Sequence, residues 1–238
     1  MKCYVLVHGA WHGGWCWSRV IPLLAGAGYR VLAPTLTGLG DREHLFGAAV
    51  DLAWHVRDVL ALIEAEELDR VVLVGHSYGG NVITGVADAM RERIAHCVYL
   101  DAVVPSDEVT EWCWADNGTA EMRAHRLAAI RDAGCGLALP APEPASFGVI
   151  EEADLQWLAR RLRPMPAATY TRKIRLAHGG SAGLRRTYVA ATRPVYGPMQ
   201  ATHRRLGGAD GWHYVELDTG HDMMLTAPSA LAQLLLAC

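Results

Sequence analysis

Tyr4-Val5-Leu6-Val7, Val31-Leu32-Ala33, Val71-Val72-Leu73-Val74 and Cys97-Val98-Tyr99-Leu100 are short apolar runs with no polar face. A strand that is apolar on both sides must be covered on both sides, which is the condition of a parallel sheet sandwiched between helices. The intervening segments supply such helices. Residues 17–28 carry Val20, Leu23, Leu24 and Ala27 at helical spacing, with Gly28 as the stop, and residues 50–66 carry Leu52, Val56, Val59, Leu60 and Ile63. Residues 79–90 form a third helical segment. Strands alternating with helices of this length predict an α/β fold with a doubly wound, mostly parallel sheet.

Near residue 105 the alternation stops. Residues 106–180 hold five prolines, three tryptophans and several short helical stretches, but no clear strand. They are expected to form a helical cap inserted into a single domain over 1–238, whose core is 1–105 and 181–238. The alternation resumes at Thr187-Tyr188-Val189-Ala190 and at Trp212–Leu217, and a last helix is expected over 227–237. A chain of 238 residues suits one α/β domain, and 51% apolar residues suit an ordinary core.

A net charge of −3 and scattered arginines argue against nucleic acid as a partner. No run of 18 apolar residues exists, so no membrane association is expected. Met1-Lys2-Cys3 leads directly into the first strand without a basic–apolar–small leader pattern. The six cysteines show neither CxxC pairing nor regular spacing, which points to reduced thiols and a cytoplasmic location. The oligomeric state is open, a homodimer being compatible with the sequence.

Three loops carry chemistry. Gly75-His76-Ser77-Tyr78-Gly79, followed by Gly80, joins an apolar strand to a helix. A G-x-S-x-G there is a tight turn that lifts a serine hydroxyl above the sheet edge, where the helix directs its N-terminal amides and dipole. His8-Gly9-Ala10-Trp11 follows the first strand, and Gly220-His221-Asp222-Met223 lies between the last strand and the last helix. His221 is the best placed histidine to act as general base toward Ser77. His76 is expected to point elsewhere along the turn, and His8 and His12 to belong to the loop after the first strand.

The chain resembles the small esterases of the α/β-hydrolase superfamily: plant methyl-esterases, hydroxynitrile lyases and, nearest in pattern, bacterial pyrethroid-hydrolase-like carboxylesterases. The resemblance rests on Val7 through Trp17, Pro34-Thr35-Leu36-Thr37-Gly38-Leu39-Gly40, the Ser77 turn, Tyr99-Leu100-Asp101-Ala102 and Gly220-His221-Asp222-Met223. It spans nearly the whole chain and is weakest over 106–180. It implies a nucleophile at Ser77, a base at His221 and an oxyanion hole formed by the amides of Ala10 and Tyr78. Lyases of this family carry threonine where this chain has Gly9 and lysine where it has Asp222, so both departures favour ester hydrolysis. The family's acid usually follows the strand ending near Ala191, but Ala191-Thr192-Arg193-Pro194-Val195-Tyr196 contains no carboxylate. Asp101 is the candidate acid. Its alternative role is to cap the turn leaving its strand. Asp218 and Asp222 are too near His221 in sequence to orient it easily.

Trp11, Trp112, Trp114 and Trp157, with Met122, Leu137 and Met165, are candidates to line an apolar pocket. A small to medium apolar or aromatic ester is the expected substrate, and the chemistry calls for no cofactor and no metal. Two other readings remain open at this level. One is a non-hydrolytic enzyme that cyclises or rearranges a biosynthetic intermediate, motivated by the missing acid. The other is a small-molecule-binding protein with little turnover.

Overall fold

The computed structural model describes residues 3–238; Met1 and Lys2, with which the expected core begins, lie outside them. Six strands form one sheet: β1 (Cys3–Val7), β2 (Arg30–Leu32), β3 (Val71–His76), β4 (Ile94–Leu100), β5 (Arg186–Ala191) and β6 (His213–Leu217). Their spatial order is β6-β5-β4-β3-β1-β2, and every pair is parallel. Strands β1 and β3 are buried along their whole length, as their lack of a polar face requires. The order reverses at β1, so the crossovers place helices on both faces.

Helix α1 (Ile21–Gly26) is shorter than the 17–28 expectation, because a separate 3-10 turn over Gly14–Trp17 precedes it and Pro22 stands in its first turn. Gly28 follows at φ 87°, the left-handed conformation that ends the segment. Helix α2 (Leu52–Ala65) starts where Asp51 accepts the Trp54 N–H, and buries Leu52, Val56, Val59 and Ile63. Helix α3 (Gly79–Ala89) follows the Ser77 turn and is buried over nearly all its residues.

Between β4 and β5 lie α4 (Ala120–Asp132) and α5 (Glu152–Ala159). This segment was expected to hold no strand, yet two antiparallel ribbons cross it. Glu111–Trp112 pairs with Ile174–Arg175, and Ala138–Leu139 with Met165–Pro166. Two-residue strands are too short to produce an alternating pattern in the sequence, and they tie together residues far apart along it. Helix α6 (Gln200–Leu206) follows β5, and α7 (Pro228–Ala237) closes the chain. No helix among the described residues is long and apolar enough to cross a membrane.

Backbone strain collects at one edge of the sheet. Trp11, Ser77 and Asp101 adopt φ of 66°, 52° and 41° in the loops leaving β1, β3 and β4. Such values are costly for residues with a Cβ and persist only where the surroundings enforce them. Close packing enforces them here. A Cβ on Gly80 would lie 2.1 Å from the Val103 carbonyl oxygen, and one on Gly79 would lie 2.7 Å from that of Val7. Only glycines let α3 start this close to its neighbours. Gly80→Ala is therefore expected to destabilise the protein by about 1–3 kcal/mol, measured as a lower urea midpoint with an unchanged slope.

Candidate active site

The three loops of interest leave the C-terminal ends of β1, β3 and β6, the edge where open α/β sheets place their ligands. Ser77 sits directly after β3. Its N–H bonds the Leu100 carbonyl, and its own carbonyl accepts the Val103 N–H, so the turn is sewn to the end of β4. The β1 loop presses on the turn from the other side: a Cβ on Gly9 would lie 2.8 Å from His76 Nδ1 and 3.0 Å from Ser77 Cβ. Gly9 is thus a contact of the Ser77 turn, and a threonine there would require the turn to move. Among the described residues, the N–H groups of Ala10 and Tyr78 meet no protein acceptor, and the Ser77 hydroxyl makes no hydrogen bond.

Asp101, directly after β4, is fully buried and faces two imidazoles. His221 Nδ1–H donates to its Oδ2 at 2.6 Å, and His203 Nε2–H donates to its Oδ1. The Ala191 N–H approaches Oδ1 at 3.4 Å. Burial alone would raise the carboxyl's pKa. The hydrogen bonds and charges of His203 and His221 outweigh it and bring the pKa down to about 2. With Nδ1–H committed to Asp101, the neutral His221 ring keeps Nε2 as its acceptor. The ring stacks on Tyr196 at 4.0 Å between centroids and on Phe147 at 6.0 Å.

The other buried histidines have fixed forms. His8 donates through Nδ1 to Gly9 O and accepts the Leu36 N–H at Nε2, and burial lowers its pKa to about 3, so it is neutral. His55 takes the Tyr78 hydroxyl at Nδ1 and gives Nε2–H to Thr37 O. His76 does not point away from the site as expected. Its ring lies 4.6 Å from that of His221, and its Nε2–H holds the His221 carbonyl at 3.0 Å. Gly9 packs directly against the His76 ring, where a Cβ on the glycine would lie 2.8 Å from Nδ1. Burial, then the nearby His221, lowers its pKa to about 3.

His12 faces acceptors at both nitrogens, Ala10 O at 2.7 Å and Asp222 Oδ2 at 3.1 Å, so it is an imidazolium. Burial opposes its charge, but Asp222 raises its pKa overall. Burial likewise opposes the Asp222 carboxylate, and His12 lowers its pKa overall. Asp222 therefore serves His12, as its sequence position beside His221 suggested it could not serve His221. His8 and His12 stand four residues apart but reach different partners. His76, His221 and Asp222 bring ligand atoms within 4.8 Å of one another; each makes one of the hydrogen bonds just described, while His76 Nδ1 and Asp222 Oδ1 are buried without a hydrogen-bond partner.

The tryptophans divide. Trp11 lines a cleft of about 260 Å³ with Tyr196, Arg126 and Leu139, and Trp114 packs against both Trp11 and Tyr78. Trp112 instead gives its indole N–H to Asn81 on α3, and Trp157 packs on Trp15 beneath Arg161. Neither of these two borders the cleft. A larger depression of about 660 Å³ over α2 has none of Ser77, Asp101 or His221 in its wall. Sequence reasoning missed His203, Phe147 and Tyr196. His203 could have been found as a polar residue on the apolar stripe Met199, Thr202, Leu206 of α6. Phe147 and Tyr196 lie in irregular segments that carry no periodic signal.

A serine on a strained strand-to-helix turn and a histidine held by a buried aspartate, both on the C-terminal edge of a parallel sheet, fit a hydrolase-type architecture. The α/β hydrolase family model matches residues 4–234, and the chain belongs to that family. A carbendazim hydrolyzing esterase from Nocardioides sp. is 44% identical over 100% of this chain and 99% of its own length. A pyrethroid hydrolase from Sphingobium wenxiniae is 40% identical over 44% of this chain and 38% of its own length. Among solved structures, an extracellular α/β-hydrolase from a Paenibacillus species, described as sharing structural and functional homology with tobacco salicylic acid binding protein 2, superposes with a TM-score of 0.84. It is 25% identical and covers 100% of this chain and 98% of that one.

The His12–Asp222 pair makes stability depend on pH in a defined direction. His12's folded pKa is raised above its ordinary 6.5, so its contribution is complete below pH 6.5 and is lost as pH rises through the folded value. Asp222's folded pKa is lowered from 3.8, so its contribution is present above pH 3.8 and is lost as pH falls through the folded value. Asp222→Asn, which leaves a buried imidazole facing a neutral amide, is expected to cost about 3–5 kcal/mol. Calorimetric melting of wild type should show a fall as pH rises above 6.5 that is absent from His12→Gln.

Proposed function

We propose that the protein cleaves a carboxylic ester of a small to medium apolar or aromatic substrate through an acyl-enzyme on Ser77. The observation that carries the reading is the 2.6 Å bond from His221 Nδ1 to Asp101. It supports Asp101 as the acid that the loop at Arg193-Pro194 lacks. In this mechanism His221 Nε2 takes the Ser77 proton as Oγ attacks the ester carbonyl. The tetrahedral oxyanion is met by the Ala10 and Tyr78 amides, which are unengaged and held on opposite sides of the Ser77 turn. Protonated His221 gives its proton to the departing alkoxide. Water, deprotonated by the same imidazole, then releases the acid.

Asp101 keeps His221 in the tautomer that presents Nε2 as a base and stabilises the imidazolium. His203 acts through Asp101 as a positioning residue, holding the second carboxylate oxygen. The case for a non-hydrolytic rearrangement rested on a missing acid, and Asp101 removes that argument. Gly9 further favours hydrolysis, because the space that a threonine would need is filled by His76 and Ser77. The segment between β4 and β5 serves as the cap, its Trp114 packed against Trp11 of the β1 loop and against Tyr78 beside Ser77. All six cysteines are free thiols, which suits a reducing compartment such as the cytoplasm.

Hydrolysis of p-nitrophenyl esters by wild type, Ser77→Ala and Asp101→Asn tests this reading. Ser77→Ala should lose at least about 10³-fold in kcat, and Asp101→Asn about 10³–10⁴-fold. A fluorophosphonate should label Ser77 in wild type only. Retained turnover in Ser77→Ala would sink the mechanism, and a mild effect in Asp101→Asn would move the acid elsewhere. Asp101's pKa is lowered to about 2, so its ionised form is lost only as pH falls through that value. The acid limb of the wild-type pH–rate profile above about pH 4 should therefore have unit slope, with no carboxylate contribution.

A further inference from the structure

A cationic side chain with no carboxylate partner among the described residues lies in the wall of the cleft of about 260 Å³. Arg126, on α4, lays its guanidinium on the Trp114 ring at 4.6 Å and near the Tyr170 ring at 5.5 Å. Trp114 touches Tyr78, the residue after the nucleophile, and Trp11, beside the oxyanion loop. Three atoms of this cluster are buried without a hydrogen-bond partner: Arg126 Nη1, Trp114 Nε1 and the Tyr170 hydroxyl. Arg126 also lines the cleft with Trp11 and Tyr196, and Tyr196 is the ring stacked on His221.

A guanidinium can only donate, and the phenols of Tyr170 and Tyr196 that it reaches are neutral acceptors which leave its charge unbalanced. Among the described residues, no carboxylate lies within ion-pair reach of Arg126, whereas Arg123 on the same helix faces Asp116 at 3.9 Å. The Arg126 charge acts instead on the phenols of Tyr170 and Tyr196. Burial dominates at both, and it holds Tyr196 at about 12. Both phenols are therefore neutral and do not compensate the cation. A guanidinium held on an aromatic face in the wall of a cleft, with no anion of its own, is arranged to receive one.

We propose that Arg126, with Trp114 and Tyr170, forms a subsite for a hydrogen-bond acceptor at the end of the substrate remote from the scissile ester, a carboxylate being its best match. This deepens the ester-hydrolase reading and rests on it for the identity of the reaction. The preferred substrates are then rigid, flat esters with an acceptor at the far end. The aromatic rings of Trp11, Trp114 and Tyr196 receive the middle of the molecule, and Arg126 reads its terminus.

Three methyl esters of one shape test this: monomethyl terephthalate, methyl 4-acetylbenzoate and methyl 4-methylbenzoate. The quantity read is the ratio of kcat/KM for each acceptor-bearing ester to that for the 4-methyl compound, within each enzyme. Wild type should favour the terephthalate by at least about tenfold, with most of the difference in KM and a decline at high salt. Arg126→Met should bring the ratio near one, and Arg126→Lys should keep part of the carboxylate preference. A preference for the 4-acetyl ester equal to that for the terephthalate would assign the subsite to neutral carbonyls and overturn the carboxylate match. Melting curves establish that both variants are folded.

Binding of monomethyl terephthalate to Ser77→Ala, measured by calorimetry, provides a readout independent of turnover, and adding Arg126→Met should weaken it at least tenfold. Equal ratios and equal affinities with and without Arg126 would overturn the subsite while leaving ester hydrolysis standing. Arg126-dependent binding in an enzyme that cleaves no ester would do the reverse.

Discussion

The buried carboxylate of Asp101 is the group around which the working edge of this molecule is organised. It stands at the end of β4, one strand from the nucleophile, and accepts from His221 on the β6 loop and from His203 on α6. Three parts of the chain that are distant in sequence thus meet at one charge. An ionised carboxylate at full burial is tolerable only when its oxygens are satisfied, and two imidazoles and a backbone amide do so here. The left-handed backbone at Asp101 belongs to the same constraint, since it turns the side chain toward these donors immediately after the strand ends.

Beneath the site lies a second layer of polar residues whose forms are set by partners. His8, His55 and His76 are neutral and each holds a backbone carbonyl, while His12 is charged and neutralises Asp222. These residues link the β1 loop, the Ser77 turn and the β6 loop into one rigid unit. His76 in particular fixes the main chain of His221 while Asp101 fixes its ring. His221, the proposed base, is therefore held at its main chain and at its ring, which is the arrangement that preorganised catalysis requires.

Much of this was legible in the sequence because it is local. The apolar runs gave the strands and their parallel pairing, and Gly75 through Gly80 gave the turn and the serine. What was not legible depends on contacts between distant segments. The two short ribbons between β4 and β5 leave no pattern in four pairs of residues. Asp101 could be named as a candidate, but only the approach of α6 revealed that it has a second histidine. Trp112 and Trp157 look like Trp11 and Trp114 in a sequence, and differ only in what lies opposite them, Asn81 and Trp15 in place of a cleft. Arg126 lies on a helix of mixed polarity, and nothing in its neighbours distinguishes it from Arg123 or Arg131.

With the proposed acid placed after β4, the loop after β5 needs no carboxylate. That loop instead brings Tyr196 to the face of the His221 ring and into the wall of the cleft. Ser77 and Asp101 directly follow the adjacent, largely buried strands β3 and β4. The residues proposed to meet the variable part of a substrate sit on other segments. Recognition and the proposed reaction thus fall on different pieces of the chain.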